Sequence, residues 1–363
     1  WTSRQRAAHS LHEVSYRACF KPQLPRFFIE RLTAAGDLVY DPFMGRGTTL
    51  VEAALLGRRV AGCDVNPLSR ILVEPRLGPP SPDNVEARLR AIDLSRCRAV
   101  RHDLEVFYHP ETLTEICALR EHLLERSRTG QSDGVDDWIR MVAVNRLSGH
   151  SPGFFSVYTM PPNQAVSIEG QRKINSRRHQ VPPRRDVRAI ILKKTRALLA
   201  DCDLFGRMAL PDAPVLVTGH ARSTPQLPDA SVTLVVTSPP FLDVVNYAAD
   251  NWLRCWFCGI DPKTVDITMA GRLGEWEGAM AEVFAELRRV VRPGGHVAFE
   301  VGEVRKGRVK LEESVIPVAA SVGWEPEAVL INAQTFTKTA NCWGVTNNAK
   351  GTNTNRIVVM RRP

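Results

Sequence analysis

The sequence predicts an α/β fold: an open, doubly wound sheet interrupted by a largely helical insertion. Three observations carry this expectation. A short strand, Leu38-Val39-Tyr40, passes through a glycine turn into the helix-forming run Leu50 to Leu56, the strand–turn–helix unit of parallel α/β proteins. A second apolar run, Val232-Thr-Leu-Val-Val-Thr237, is rich in β-branched residues and stops at Ser238-Pro239-Pro240-Phe241, as a strand buried on both faces would. Helix and strand patterns then alternate towards the C-terminus.

Composition sets the class. Of 363 residues, 44% are hydrophobic and 24% charged, ordinary for a soluble globular protein. The net charge of +9 permits an anionic partner. No apolar run reaches the length of a membrane span, and Trp1-Thr-Ser-Arg4 is not a signal peptide. A start on Trp rather than Met is expected of a fragment or a processed form. The eight cysteines are scattered and read as reduced thiols. Cys255-Trp-Phe-Cys258 has the spacing of half a zinc site, but no second pair accompanies it. Trp252, Leu253, Trp256, Phe257 and Ile260 around it suggest a buried helix face, and no metal is expected.

In chain order, Phe20-Lys21-Pro22 precedes a helix that Pro25 can open, with Phe27, Phe28, Ile29 and Leu32 as its apolar face. Lys21 is either a solvated side chain or a contact for an anionic group. The first strand ends in Asp41-Pro42-Phe43-Met-Gly45-Arg-Gly47-Thr48-Thr49. Its glycines let the backbone approach a ligand closely, at a helix N-terminus that favours polar groups. It is neither a dinucleotide fingerprint nor a P-loop, and the Asp41 carboxylate suits a cationic ligand. A second strand, Arg59 to Cys63, leads to Asp64-Val65-Asn66-Pro67. An acid there can bind ribose hydroxyls or cap the next helix.

Gly78-Pro-Pro-Ser-Pro-Asp marks a boundary, so three blocks are expected: 1–75, 76–213 and 214–363. In the middle block, 83–128 and 138–147 read as helical. Residues 145–175 form a polar loop carrying Phe154, Phe155, Tyr158 and Pro161-Pro-Asn163-Gln164. Residues 172–196 hold ten Lys or Arg against the single acid Asp186, as much excess charge as the whole chain has. Arg172, Lys173, Arg177, Arg178, Arg184 and Arg185 are candidates for phosphate contacts; a solvated basic helix is the plain alternative. The last block opens with a strand at 215–218 and Gly219-His220-Ala221. Asn246, Tyr247 and Asp250 follow Phe241 and either line a pocket or simply pack. A helix at 276–291 ends in a turn at Arg292-Pro293-Gly294-Gly295. Strand 296–301, helix 311–322, strands 328–333 and 356–360, and a polar loop at 335–355 complete the chain.

Asp41-Pro-Phe-x-Gly45-x-Gly47-Thr48-Thr49, Cys63-Asp64-Val65-Asn66 and Thr237-Ser238-Pro239-Pro240-Phe241 resemble the motifs of amino-directed DNA methyltransferases. The resemblance covers about residues 20–75 and 214–363 and not the middle. It implies a class I methyltransferase, Rossmann-like sheet, mostly parallel with an antiparallel last strand. It also implies S-adenosyl-L-methionine as cofactor, held by Phe20, Lys21, Asp41, Pro42, Phe43, Gly45, Gly47, Thr48, Thr49, Asp64, Asn66, His220 and Ala221. His220 stands where the family commonly has Asp. Ser before the prolines is typical of the N4-cytosine branch; the N6-adenine branch more often has Asp or Asn.

The exocyclic amino nitrogen is a poor nucleophile, because its lone pair is delocalised into the base. Ser238 and the Pro239 carbonyl can accept its hydrogen bonds and turn the lone pair towards the methyl group. Pro240 shapes the turn, Phe241 stacks on a flipped base, and Thr237 merely ends the strand. Double-stranded DNA is the expected partner, a cognate restriction endonuclease is a candidate one, and the expected location is cytoplasmic or nucleoid-associated. An N6-adenine methyltransferase, an RNA amino-methyltransferase and a non-catalytic nucleic-acid binder are the competing readings.

Overall fold

The computed structural model describes residues 8–16, 19–159, 166–202, 212–241, 247–266, 272–304, 309–333 and 354–363. Asn246, Pro161 to Gln164 and most of the polar loop at 335–355 lie outside them.

The first unit is α1 (Gln23–Leu32), β1 (Leu38–Asp41), α2 (Thr48–Leu55), β2 (Arg59–Asp64) and α3 (Pro67–Leu77). Pro25 lies in the first turn of α1, where no intrahelical donor is lost. Gly47 caps α2 with φ of 73°, and a Cβ there would stand 2.5 Å from Val73 Cγ2. Only glycine meets both demands. Asn66 caps α3 by accepting from the Leu68 amide at 2.9 Å.

The insertion contributes α4 (Pro82–Ala91), α5 (Pro110–Arg128), α6 (Gly134–Val144), α7 (Ile168–Arg178) and α8 (Val187–Leu198). The expected helical stretch 83–128 is therefore two helices, broken where Pro110 opens α5. The expected helix at 138–147 starts earlier, because Asp133 and Asp136 form a capping box ahead of Trp138. Trp138 is buried, and its indole donates to Thr195 Oγ1 at 3.0 Å, fastening α6 to α8.

The second half comprises β3 (Val215–Thr218), β4 (Val232–Thr237), α9 (Tyr247–Cys258), α10 (Leu273–Val290), β5 (Val291–Val304), β6 (Val309–Lys310), α11 (Leu311–Ser321), β7 (Glu325–Ala333) and β8 (Thr354–Arg361). Pro293-Gly294-Gly295 does not separate helix from strand. α10 stops at Val290, and the three residues bulge within β5, between the Val232–Val291 and Leu234–His296 pairings. Gly294, at φ 75°, donates to the Arg362 carbonyl, which explains the bulge.

The sheet order is β3-β2-β1-β4-β5-β8-β7, with β6 beside β5. β1 to β5 pair in parallel, and β8 is antiparallel to both β5 and β7. This is the mostly parallel, doubly wound sheet expected from the sequence. Strand order reverses between β1 and β4, so a crevice opens at their carboxyl ends.

One face of the sheet packs on α10 and α11 through Val235, Phe284, Phe299 and Val315. The other face shares a continuous core with the insertion, in which Val39, Leu234 and Ala298 join Leu113, Trp138 and Met141. The helices of 76–213 thus bury their apolar faces against the sheet. Cys255 is buried with Leu68, Ile71 and Ile260 around it, as a helix-face residue. Among the described residues no helix is long and apolar enough to cross a membrane.

Candidate active site

The crevice between β1 and β4 holds a cavity of about 750 Å³, inside the roughly 300–1,000 Å³ usual for small-molecule sites. Of the residues singled out from the sequence, Phe20, Pro42, Phe43, Gly45, Asp64, Asn66, His220, Ala221, Ser238, Pro239, Pro240 and Phe241 line it. Lys21, Asp41, Gly47, Thr48 and Thr49 are not in that lining. Asp41, Gly47, Thr48 and Thr49 stand behind it, between the end of β1 and the start of α2, whereas Lys21 precedes α1.

Asp64 organises one lobe. The Gly45 amide donates to its Oδ2 at 2.8 Å and the Asn66 amide to its Oδ1 at 2.9 Å. One carboxylate therefore fixes the glycine turn and the start of α3 together, with its remaining lone pairs at the cavity. Burial pushes the Asp64 carboxyl above the usual range, against those two amide bonds. The Asn66 amide group donates to the Tyr16 hydroxyl at 2.8 Å, bringing the segment ahead of α1 over the glycine turn. Arg46 secures that segment through the Val14 carbonyl at 2.9 Å, and the buried Arg76 through the Leu11 carbonyl at 3.1 Å. Tyr16 thus joins the lining. Nothing in its local sequence marks it.

Asp41 has a different place from the one expected. It is buried, accepts from the Phe43 amide at 3.1 Å, and accepts from the Thr237 hydroxyl at 2.6 Å. Thr237 is therefore more than a strand end: it ties the two loops of the crevice together. Thr49 adds a second tie, donating to the Val236 carbonyl at 3.0 Å. Burial raises the Asp41 carboxyl from 3.8 to about 7, against the bonds from Thr237 and Phe43. A raised carboxyl contributes stability below its unfolded pKa and loses it as pH rises through the folded value. Asp41 should therefore lower stability by roughly 4 kcal/mol between about pH 4 and about pH 8. In thermal unfolding across that range, the midpoint of Asp41→Asn should rise relative to wild type as pH increases. Equal pH slopes for wild type and Asp41→Asn would refute this assignment.

The second lobe is the Ser238-Pro-Pro-Phe241 corner. The Trp276 indole of α10 donates to the Pro240 carbonyl at 3.0 Å and holds the corner from outside the sheet. Phe241 packs partly on the apolar cluster beneath α10. Ser238 shares the cavity with Glu300 of β5, a residue only 5% exposed, whose carboxyl receives the Asn355 amide at 2.6 Å and is raised by burial while Asn355 and Ser238 pull it down. Glu300 was legible as an acid inside the apolar run His296 to Val301 but was not singled out. Trp276 looks like any apolar helix residue.

His220 lies at the cavity with its imidazole 3.4 Å from Asp266, so a carboxylate stands near that corner although the strand itself ends in His. Asp250 lines the cavity from α9, as does Asn251. The lining carries five carboxyl groups, Asp64, Asp250, Glu275, Glu282 and Glu300, against Arg222 and His220. Arg222 is itself paired with Glu282 at 3.1 Å. In a chain of net charge +9, such a cavity favours a cationic ligand.

The basic run divides. Arg184 is held by Glu111 at 2.8 Å and Glu115 at 2.6 Å, Lys194 by Glu13, and Arg196 by Glu86. Arg188 caps α4 through the Leu89 and Ile92 carbonyls, and Arg185 is half-buried. Much of the excess charge therefore ties α8 to its neighbours. Arg172, Arg177 and Arg178 are exposed on α7, with Arg178 stacked 3.7 Å above the Tyr158 ring. Lys173 is exposed and pairs with Glu169 at 2.8 Å. Phe154 and Phe155 point into the core rather than to a partner.

Residues 1–70 match the N6_N4_Mtase family model, DNA methylase. Type II methyltransferase M.MjaII of Methanocaldococcus jannaschii is 38% identical over 74 residues, which are 20% of this chain and 14% of that protein. Type II methyltransferase M.BsoBI of Geobacillus stearothermophilus is 23% identical over 291 residues, 70% of this chain and 54% of its own. Type II methyltransferase M.MvaI of Kocuria varians is 32% identical over 111 residues, 30% of this chain and 23% of its own. The chain thus spans about half the length, or less, of these curated relatives. Its similarity is to amino-directed DNA methylases.

Proposed function

We propose that this chain, similar to amino-directed DNA methylases and matching their family model over its first 70 residues, transfers a methyl group from S-adenosylmethionine to the N4 amino group of a cytosine in DNA. One observation carries the reading: the Asp64 lobe and the Ser238-Pro-Pro-Phe241 corner face one acid-lined cavity. When bound, the cofactor supplies an electrophilic methyl group on a positively charged sulfur.

The chain's own residues divide the remaining work. Asp64 keeps carboxylate lone pairs for ribose hydroxyls while fixing the glycine turn. Phe20, Pro42 and Phe43 supply apolar walls, and Gly45 permits close approach. Asn66 braces the Asp64 lobe through Tyr16, and His220 and Ala221 border the same cavity. Asp41, Gly47, Thr48 and Thr49 act from behind the wall by setting the shape of the turn. Acceptors at Ser238 and Pro239 hold the amino group by its N–H bonds, so that its lone pair is aimed and not conjugated. Pro240, fixed by Trp276, sets the angle of the corner, and Phe241 offers a stacking face to the base. A paired base cannot reach this cavity, so it must leave the duplex.

The exposed Arg172, Arg177 and Arg178, with Lys173 beside them, are the phosphate contacts we assign to the insertion. The partner is double-stranded DNA. The relatives are Type II methyltransferases by name, so a cognate restriction endonuclease is the protein partner proposed.

Methyl-labelled S-adenosylmethionine with duplex DNA, followed by nucleoside mass spectrometry, tests the reading. N4-methylcytosine is the expected product. N6-methyladenine would move the chain to the adenine branch, and label in RNA alone, or in no nucleic acid, would refute the DNA reading.

A further inference from the structure

We infer that Glu300 acts through Ser238 as the positioning residue and proton acceptor of the catalytic corner, an inference that rests on the methyltransferase reading above. Glu300 sits on β5 beside β4, in an otherwise apolar run, and reaches the cavity at the level of Ser238. The Asn355 amide donates to it at 2.6 Å, and Ser238 follows Thr237, the register partner of Phe299, so two neutral groups stand next to the carboxyl. Burying a carboxylate without a cationic partner is costly, and a glutamine would serve packing as well.

The surroundings fix how this acid titrates. Burial raises it to about 7, while Asn355 and Ser238 pull it down. The end of β4 and the residue after it present Thr237 and Ser238, neither charged; Asp41 on β1 is engaged by Thr237. On β8, Arg356 is paired with Glu312 at 2.6 Å. The Cys19 thiol, from the segment ahead of α1, lines the same cavity, where burial raises it, Arg46 lowers it and Glu300 raises it further.

Ionisation of Glu300 decides the polarity of Ser238. A carboxylate accepts the Ser238 O–H, which leaves the serine lone pairs to the amino N–H of the base. A protonated carboxyl can donate instead and turn the serine proton towards the substrate. In the transfer, the nitrogen lone pair forms the new N–C bond and the S–C bond breaks, its electron pair staying on sulfur. The extra proton on nitrogen passes to Ser238 Oγ as the serine proton moves to Glu300.

Glu300→Gln keeps the side chain's size and removes the acid. The single-turnover methylation rate should fall by about 100-fold or more at alkaline pH, with cofactor affinity within about twofold of wild type. The wild-type rate should fall as pH drops through about 7, and Glu300→Gln should lose that limb. Infrared pH-difference spectra of the ligand-free Glu300→Gln protein should show a weaker protonated-carboxyl signal near pH 7 than wild type, the remainder belonging to Asp41. Asn355→Ala, which removes a bond to the carboxylate, should move the limb upward. A Glu300→Gln protein with the wild-type rate or an intact limb, an unchanged infrared spectrum, or an unmoved limb in Asn355→Ala overturns the role of Glu300. The two readings fail separately. A wild-type chain that forms no methylated nucleoside overturns both, whereas methylation by wild type and Glu300→Gln at equal rates overturns this one alone.

Discussion

Ser238→Ala should slow methyl transfer by roughly 100- to 1,000-fold, the usual effect of removing one preorganised polar group from a reacting centre. The substitution deletes one oxygen from a half-exposed side chain, so the fold should survive. Asp64, Gly45 and the rest of the cofactor lobe stay in place, since none of their described bonds involves Ser238. S-adenosylmethionine affinity, measured by calorimetry, should therefore stay within about threefold of wild type while the rate collapses. Loss of rate with intact cofactor binding separates this corner from the other lobe. Wild-type methylation by a protein that still binds cofactor would show that Ser238 carries no part of the chemistry.

Asp64→Ala should have the opposite signature. Its carboxylate receives the Gly45 and Asn66 amides and still faces the cavity. A hydrogen bond to a charged group is worth about 1.5–3 kcal/mol, so losing two from bound ribose should weaken cofactor binding by about 100-fold or more, and losing one by at least about 10-fold. The glycine turn also loses its brace, which adds to the effect. Asp64→Asn keeps the shape and an acceptor, and should fall between the two. Calorimetric titration with S-adenosylmethionine decides the matter, with the unfolding midpoint recorded alongside. An Asp64→Ala protein that is folded and binds normally would remove Asp64 from the site.

The two motif loops were legible because their requirements are local. Gly47 needs a positive φ and no Cβ, Pro239 and Pro240 cannot pair in a sheet, and Asn66 caps its own helix. The basic run misled in part for the same reason. Counting charge along the chain does not show that Glu111, Glu115, Glu13 and Glu86 come from other segments to meet it. The insertion was less legible still. Helical spacing predicts a helix, but the break between α4 and α5 lies in a stretch whose apolar residues continue the pattern.

The amino-acid sequence alone determined the strand–turn–helix units, the helical character of the insertion, and the residues at the ends of β1, β2 and β4. Each of these depends on backbone preferences and side-chain spacing within a few residues. Only the tertiary structure decided that β1 lies beside β4. That pairing brings Thr237 within 2.6 Å of Asp41, 196 residues away, and moves Asp41 from a ligand contact to a buried tie. It also brought Glu300 and Asn355 to Ser238, Trp276 to Pro240 and Tyr16 to Asn66. Periodicity records which face of a strand is buried. The identity of its neighbour is set by which strands can bury those faces together, a property of the whole core.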